Sequence, residues 1–163
     1  MFSRFIFFVL LFGFMSCSQE KKQHEGAFEA AAAEKNKEEC MRTLQTHLQA
    51  VTEKNYQMLK STVPDSGSYV LILPNGDMMT TVDAFLEMHR EWFQETSWSM
   101  EFSILYSEVF KNSGFAVVEA LLREPERNGK PYYHKMKISY GLRLQNGTWR
   151  VVQDHASTVE KSE

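Results

Sequence analysis

Residues 142–157 read LRLQNGTWRVVQDHAS, and this stretch decides the fold of the chain. Apolar and polar residues alternate on both sides of Asn146-Gly147, and Asn-Gly is the strongest short sequence signal for a two-residue β-hairpin turn. If Gln145 pairs with Thr148, then Trp149 shares one face of the sheet with Leu144, because facing pairs project to the same side. The pattern therefore predicts a long antiparallel hairpin with its apolar face turned to the interior.

The same register can be followed further from the turn. It sets Tyr140 opposite Gln153 and Ile138 opposite His155, all on the interior face. It places Asp154 on the outer face, together with the lysines of the preceding strand. The prediction from this hairpin is that polar side chains, including a histidine, point into the protein.

A second hairpin is predicted one step earlier, where Lys111-Asn112-Ser113-Gly114 joins strands near residues 98–110 and 115–124. The expected register sets Tyr106 opposite Glu119, with the aromatic side of the first strand facing inward. Glu119 is then an interior residue. The opposite face of the second strand is expected to be an outer, apolar surface, formed by Val118, Ala120 and Leu122.

Together the two registers bring several polar side chains to the interior side of the sheet. Ionisable groups are costly to bury without a partner or a purpose, so this group predicts a concave ligand pocket. The alternative is that Glu119 and one histidine form a satisfied pair at an open end of the sheet. The predicted pocket residues are Trp98, Met100, Tyr106, Glu119, His134, Tyr140, Gln153 and His155.

The region before the strands is predicted to be mainly helical. Residues 30–33 are all alanine, and Met41, Leu44, Leu48 and Val51 then recur at spacings of three and four, as on one face of a helix. A short helix near residues 55–60, a hairpin turn at 74–77 and a helix over 84–95 follow. In the last of these, His89 lies in the apolar stripe and is interpreted as a packing residue.

The N-terminus resembles an export signal. Arg4 precedes an uncharged apolar run over residues 5–15, too short to span a bilayer at about 20 residues. Phe14-Met15-Ser16-Cys17 resembles the lipobox of bacterial lipoproteins, in which the cysteine carries lipid and becomes the first mature residue. We therefore expect a lipid-anchored protein of the cell envelope, on the periplasmic or outer-membrane face. The alternative is a soluble secreted protein cut nearby by the ordinary signal peptidase.

Composition restricts the partners and cofactors. Eighteen lysines and arginines against 21 aspartates and glutamates give a formal charge of -3, without the basic excess of a nucleic-acid surface. Cys17 and Cys40 fit neither a disulfide framework nor a zinc site, and His134 and His155 lack the spacing of a metal motif. A P-loop, a dinucleotide glycine fingerprint and a nucleophile elbow are absent from the sequence, so no cofactor and no metal are predicted.

Helices followed by a strongly bent antiparallel sheet are the element order of the nuclear transport factor 2-like superfamily. Residues 147–157 resemble the final strand of its SnoaL-like domains, with the pattern G-x-W-(K/R)-(I/V)-V-x-D-H-x-S. The resemblance covers residues 36–158 and implies a cone-shaped α+β fold that encloses a pocket. The predicted organisation is a signal peptide at 1–16, an anchor and polar tether at 17–35, the domain at 36–158 and a polar tail at 159–163.

The same resemblance bears on assembly and function. Relatives commonly pair as homodimers, for which Val118, Ala120 and Leu122 would supply the outer apolar face. The superfamily includes ketosteroid isomerase, cyclases, dehydratases, hydrolases and non-catalytic binding modules, so the fold cannot choose among them. No residues here match the acidic base and oxyanion donors of ketosteroid isomerase.

Two functions are therefore predicted. The first is a membrane-tethered module that binds a small, partly apolar molecule through Trp98, Met100 and Tyr140, with Glu119 and His155 orienting it. The alternative is an isomerase- or dehydratase-type enzyme that uses Glu119 or His155 as general base.

Overall fold

A computed structural model describes the backbone of residues 16–162 and the side chains of residues 28–162. By its internal contacts the chain divides into two units, Met1–Glu34 and Lys35–Glu163. The predicted signal peptide and the side chain of Cys17 lie outside the described residues. Within the described part, every helix is too short or too polar to cross a membrane.

The first helix, α1, runs over Ser16–Thr52. It includes residues 18–26, which belong to the predicted polar tether and are helical. Glutamate, glutamine and lysine fill much of that segment, and all three have high intrinsic helix propensity. The apolar stripe further along α1 is buried as predicted, with Leu44, Leu48 and Val51 in the core.

Two shorter helices follow, and side-chain caps fix where each begins. Helix α2 spans Tyr56–Thr62, and the Asn55 side chain accepts a hydrogen bond from the backbone N–H of Met58 at 3.0 Å. Helix α3 spans Val82–Trp92, and its Thr81 cap accepts from the N–H of Ala84 at 3.2 Å. Such caps satisfy backbone donors that have no partner within the helix.

Six strands form one sheet in the order β2-β1-β6-β5-β4-β3. All neighbouring pairs are antiparallel except β1 and β6, which are parallel, so the sheet is mixed. Helices followed by a strongly bent sheet confirm the predicted α+β cone fold. The last strand covers most of the predicted polar tail. The strands are β1 (Ser68–Ile72), β2 (Met78–Thr81), β3 (Ser99–Val109), β4 (Ser113–Arg127), β5 (Lys130–Gln145) and β6 (Thr148–Lys161).

The β5–β6 hairpin follows the predicted register only near its turn. Gln145 pairs with Thr148 and Leu144 with Trp149, as expected. A β-bulge between the pairs Leu142–Val151 and Gly141–Gln153 then inserts Val152 on β6 and shifts the pairing by one residue. Because the extra residue is on β6, every later side chain of β6 moves to the face of the sheet opposite to the predicted one.

Beyond the bulge, the residues of β6 therefore lie on the opposite face from the one predicted. Asp154 pairs with Tyr140 and is buried, whereas His155 pairs with Ser139 and is exposed. The Gln153 side chain packs over Gly141 on the outer face. The predictions that Gln153 and His155 face the interior were therefore wrong.

The β3–β4 hairpin turns one residue earlier than predicted. The N–H of Phe110 donates to the carbonyl of Ser113 at 2.8 Å, so the two-residue loop is Lys111-Asn112. A further register shift lies between Ile104 and Tyr106. The offset of the turn changes the pairing by two residues and therefore keeps the faces. The extra residue Leu105 at the register shift exchanges them, so β4 and the end of β3 next to the turn present the opposite faces to those predicted.

Glu119 consequently pairs with Ser103 and lies on the outer face, where the sequence analysis had placed it inside. Tyr106 pairs with Val117 and is 54% exposed. The three residues expected on the outer apolar face are buried in the core instead, which was the reverse of the prediction: Val118, Ala120 and Leu122.

Candidate functional site

A cavity of about 460 Å³ lies between the helices and the inner face of the sheet. Helices α1 and α3 contribute one wall, and β1, β3, β5 and β6 contribute most of the rest. Much of its wall is apolar, including Leu71, Trp92, Met100, Phe102, Met136 and Ile138. The polar side chains in the lining are His47, His89, Glu91, His134, Tyr140 and Asp154.

His47 comes from the buried stripe of α1, one turn after Leu44. Its Nδ1 lies 2.8 Å from the hydroxyl oxygen of Thr62, and that hydroxyl donates its proton to the carbonyl of Leu59 at 2.7 Å. Nδ1 must therefore carry the proton and donate, which leaves Nε2 as an acceptor. Burial, followed by the proximity of His89, lowers the pKa of His47 to about 3, so the ring is neutral.

His89 on α3 has the same protonation pattern. Its Nδ1 lies 2.9 Å from the carbonyl oxygen of Phe85, which can only accept, so Nδ1 is the donor and Nε2 is unprotonated. Burial lowers the pKa of His89 to about 4. Neither Nε2 has a hydrogen-bond partner among the described residues.

Asp154 is the buried carboxyl of the cavity, with only 7% of its surface exposed. Burial raises its pKa to about 8, and the neighbouring Tyr69 hydroxyl offsets part of that rise. The contact with Tyr69 falls short of normal hydrogen-bond geometry, because the Tyr69 oxygen and Oδ1 of Asp154 are both without a partner in the described structure. At pH 7 the carboxyl is therefore mainly neutral.

His134 lines the cavity from β5, in a more open position than the other two histidines. Its Nε2 lies 2.8 Å from the hydroxyl oxygen of Thr158 on β6. Partial burial lowers its pKa, and the charges of Lys161 and Arg127 act in the same direction. No set of three metal-ligating side chains comes together in residues 28–162.

Three of the predicted pocket residues lie in the cavity wall: Met100, His134 and Tyr140. Trp98 does not line the cavity. It lies behind Trp92, with the two rings 4.1 Å apart, and its Nε1 donates to the carbonyl of Trp92 at 3.2 Å. Trp98 is 3% exposed and supports a residue of the wall.

Both residues predicted to be catalytic lie away from the cavity lining. The Glu119 carboxylate is 2.7 Å from Nζ of Lys137 and 3.3 Å from Nζ of Lys135, on the outer face of the sheet. Hydrogen bonds from these two lysines lower its pKa. His155 is exposed on that face too, so the predicted pair of a histidine with Glu119 at the pocket is not formed.

The cavity therefore has four polar lining residues that were not predicted from the sequence: His47, His89, Glu91 and Asp154. His89 was interpreted as packing, and Asp154 was placed outside because the bulge was not foreseen. A signal for His47 was present, since it occupies an otherwise apolar helical stripe. The periodicity of the stripe by itself predicts that a histidine at this position is buried.

The SnoaL-like domain family matches residues 40–160. The chain belongs to the SnoaL-like family. This match spans the short helices, all six strands and every polar residue of the cavity lining. No curated protein is significantly similar in sequence to this chain.

Solved structures similar to this SnoaL-like chain share its fold at low sequence identity. A nuclear transport factor 2-like superfamily protein from Salmonella enterica is 18% identical, with a TM-score of 0.65 over 80% of this chain and 95% of its own. A ketosteroid isomerase-like protein from Erwinia carotovora is 15% identical, with a TM-score of 0.62 over 75% and 95%. The association domain of C. elegans CaMKII is 19% identical, with a TM-score of 0.58 over 78% and 98%.

Proposed function

We propose that this SnoaL-like domain is a binding module for a small, partly apolar molecule held in the 460 Å³ cavity. The observation that carries the proposal is the buried carboxyl of Asp154 in the largely apolar lining of that cavity. Apolar walls with a few convergent polar groups are typical of ligand sites. A hydrogen bond from a ligand to this carboxyl would offset part of the cost of burying it.

An isomerase- or dehydratase-type enzyme is the second candidate, and one observation favours it. The pKa of Asp154, about 8, lies close to neutral pH, where a general acid or base works best. In that case Asp154 would transfer the proton, and Glu119 and His155 would not, since both lie outside the cavity lining. Conversion of a bound molecule by the wild type but not by Asp154→Asn would favour the enzyme. Binding without conversion would favour the module.

Filling the cavity tests whether it is the binding site. We expect Ala156→Phe, in the cavity wall, to weaken binding of molecules that copurify with the protein by at least about tenfold, equivalent to about 1.4 kcal/mol. Ser157→Phe is the matched control, because it adds the same ring at the next, exposed position. Native mass spectrometry and thermal shift measure both. Equal binding by the two variants would contradict the proposal.

We propose further that the mature chain begins at Cys17 and is held in the cell envelope by lipid on that residue. Its support is the uncharged run before Ser16-Cys17. Acyl chains contribute about 0.8 kcal/mol per buried methylene to membrane binding, so Cys17→Ser should move the protein out of the membrane fraction or leave uncut precursor. Ser18→Ala serves as the control. A Cys17→Ser protein that fractionates like the wild type would exclude the anchor.

A homodimer is proposed on a different surface from the one first expected. Leu105, Tyr106 and Phe115 are large apolar residues exposed near the β3–β4 turn, and the rings of Tyr106 and Phe115 lie 5.8 Å apart. Grouped apolar side chains of this kind favour a partner surface. We expect a dimer mass by light scattering at micromolar concentration and a monomer mass for Phe115→Glu, with Val159→Glu as an exposed control. A monomeric wild type would rule the dimer out.

A further inference from the structure

Two of the histidines that line the cavity present hydrogen-bond acceptors without donors. His47 and His89 each use Nδ1 on a partner that is not in the lining, the Thr62 hydroxyl and the Phe85 carbonyl, so both leave an unprotonated Nε2. The Asp154 carboxyl lies in the same lining. A ligand that satisfies both imidazole nitrogens and an ionised Asp154 must therefore bring several donors.

The ionisable residues of the lining also favour a ligand that donates hydrogen bonds. Two acidic residues, Asp154 and Glu91, line the cavity, and none of its lining residues in the described part of the chain is lysine or arginine. An anionic ligand would thus find no fixed positive charge. The rings of Trp92, Phe102 and Tyr140 line the same space, and aromatic faces attract cations.

From this arrangement we infer that the ligand carries a protonated amine on an apolar body. The inference rests on the proposed binding function and specifies its ligand class. The ammonium donates to the Asp154 carboxylate and to a histidine Nε2, while the apolar body lies against the Met100 and Met136 side of the cavity. On binding, Asp154 releases its proton to solvent, and the amine keeps its own, so charge is balanced in the complex.

A ligand with a neutral carbonyl group satisfies fewer polar groups of the cavity wall than an ammonium does. It would accept one hydrogen bond from protonated Asp154, but it would leave both imidazole Nε2 atoms without a donor. An alcohol can donate to one of these nitrogens only. An ammonium carries three donors, and its charge-assisted hydrogen bonds are about twice as strong as neutral ones.

The two ligand classes have opposite pH dependence. The titratable groups next to Asp154 are Tyr69 and Tyr140, whose pKa values burial raises. The other titratable residues of the lining are His47 and His89, which stay neutral above pH 6, His134, whose pKa is also lowered by burial, and Glu91. With the pKa of Asp154 at about 8, an amine must displace a proton below that pH, so its affinity rises with pH by up to about tenfold per unit. The affinity of the cavity for an alcohol should not rise over the same pH range.

The test compares three probes that share one body and differ in the head group: phenylbutylamine, phenylbutanol and phenylbutyrate. Isothermal titration of the full chain between pH 6.5 and 8.5 is expected to show the amine binding at least about tenfold tighter than the alcohol, with the carboxylate weakest. Asp154→Asn should weaken the amine by at least about tenfold and leave the alcohol nearly unchanged. Glu119→Gln makes the same substitution outside the cavity and should alter neither.

The outcomes separate this inference from the proposed function. Alcohol binding as tight as amine binding, or an Asp154→Asn variant that is folded and binds amine like the wild type, overturns the amine inference and leaves a binding module standing. Failure of all three probes to bind overturns the inference. Failure of the cavity-filling experiment counts separately against the proposed function.

Discussion

Replacing Phe85 with alanine is expected to lower the free energy of unfolding by about 3–5 kcal/mol. Phe85 is fully buried on α3, and its ring centre lies 4.0 Å from that of Tyr69, 4.1 Å from that of His89 and 6.0 Å from that of His47. Removing the ring leaves a void between α1, α3 and β1 and loses the dispersion contacts of all three neighbours. The positions of both cavity histidines depend on this packing.

Urea denaturation of the wild type and the variant measures the effect. Phe110→Ala is the matched control, because it removes the same ring from a side chain that is 51% exposed, and it should change stability by about 0.5 kcal/mol or less. Equal losses in the two variants would mean that Phe85 is not the packing centre between the helices and the sheet. Phe85→Leu should recover part of the loss, since it refills part of the volume.

Elements with strong local signals were predictable from the sequence. Asn146-Gly147 correctly located the last turn, because both residues adopt the positive φ that a tight hairpin turn requires, at 50° and 76°. The stripe from Leu44 to Val51 was correctly predicted to be the buried face of α1. These features depend on neighbours within a few positions of the chain, and the sequence contains those neighbours.

Which face of the sheet a strand residue occupies depends on one-residue insertions whose positions the sequence does not reveal. Val152, the extra residue of the bulge, follows Val151, and these two adjacent valines interrupt the alternation without showing which residue is the extra one. Asp154 and His155 are adjacent and polar, and neighbouring strand residues point to opposite faces. One of the two had to face inward, and only the position of the bulge determined that it was Asp154.

The fold family was nevertheless identified correctly from the same stretch, since residues 40–160 match the SnoaL-like domain. The element order and the final-strand pattern survive a change of register, because they do not depend on which face a residue occupies. The set of residues that line the cavity does depend on which face each residue occupies. Glu119 and Tyr106 were misplaced because the extra residue Leu105 shifts the β3–β4 register by one, and the interior polar set changed with them.

The stability of the protein should depend on pH in a way that the cavity residues determine. Asp154 has a pKa of about 8 in the folded state, above the value of about 3.9 in an unfolded chain, so the folded state binds more protons between these pH values. Its contribution to stability therefore falls as pH rises through this range. His47 and His89 have folded pKa values of about 3 and about 4, below the unfolded value of about 6.5, and their contribution falls as pH drops below 6.5.

These opposite dependences place the maximum of stability near pH 6.5 and predict a decline above it. At about 1.4 kcal/mol per pH unit for one group, Asp154 lowers the unfolding free energy of the wild type by about 2 kcal/mol between pH 6.5 and pH 8, and deprotonation of His47 and His89 in the unfolded chain offsets about half of that loss. Asp154→Asn removes the titrating carboxyl, so its stability should not decline over this interval and should rise by about 1 kcal/mol or less. Glu119→Gln should keep the wild-type decline, because lysine partners lower the pKa of Glu119 and its contribution changes only in acid.

Urea denaturation at closely spaced pH values distinguishes these profiles. A decline that persists in Asp154→Asn would assign the effect to other groups and remove the support for a buried, raised-pKa carboxyl in the cavity. If the decline does disappear, the stability of Asp154→Asn relative to the wild type increases by about 2 kcal/mol between pH 6.5 and pH 8. A carboxyl that lowers the stability of its own fold while facing a cavity is typical of residues retained for binding or catalysis.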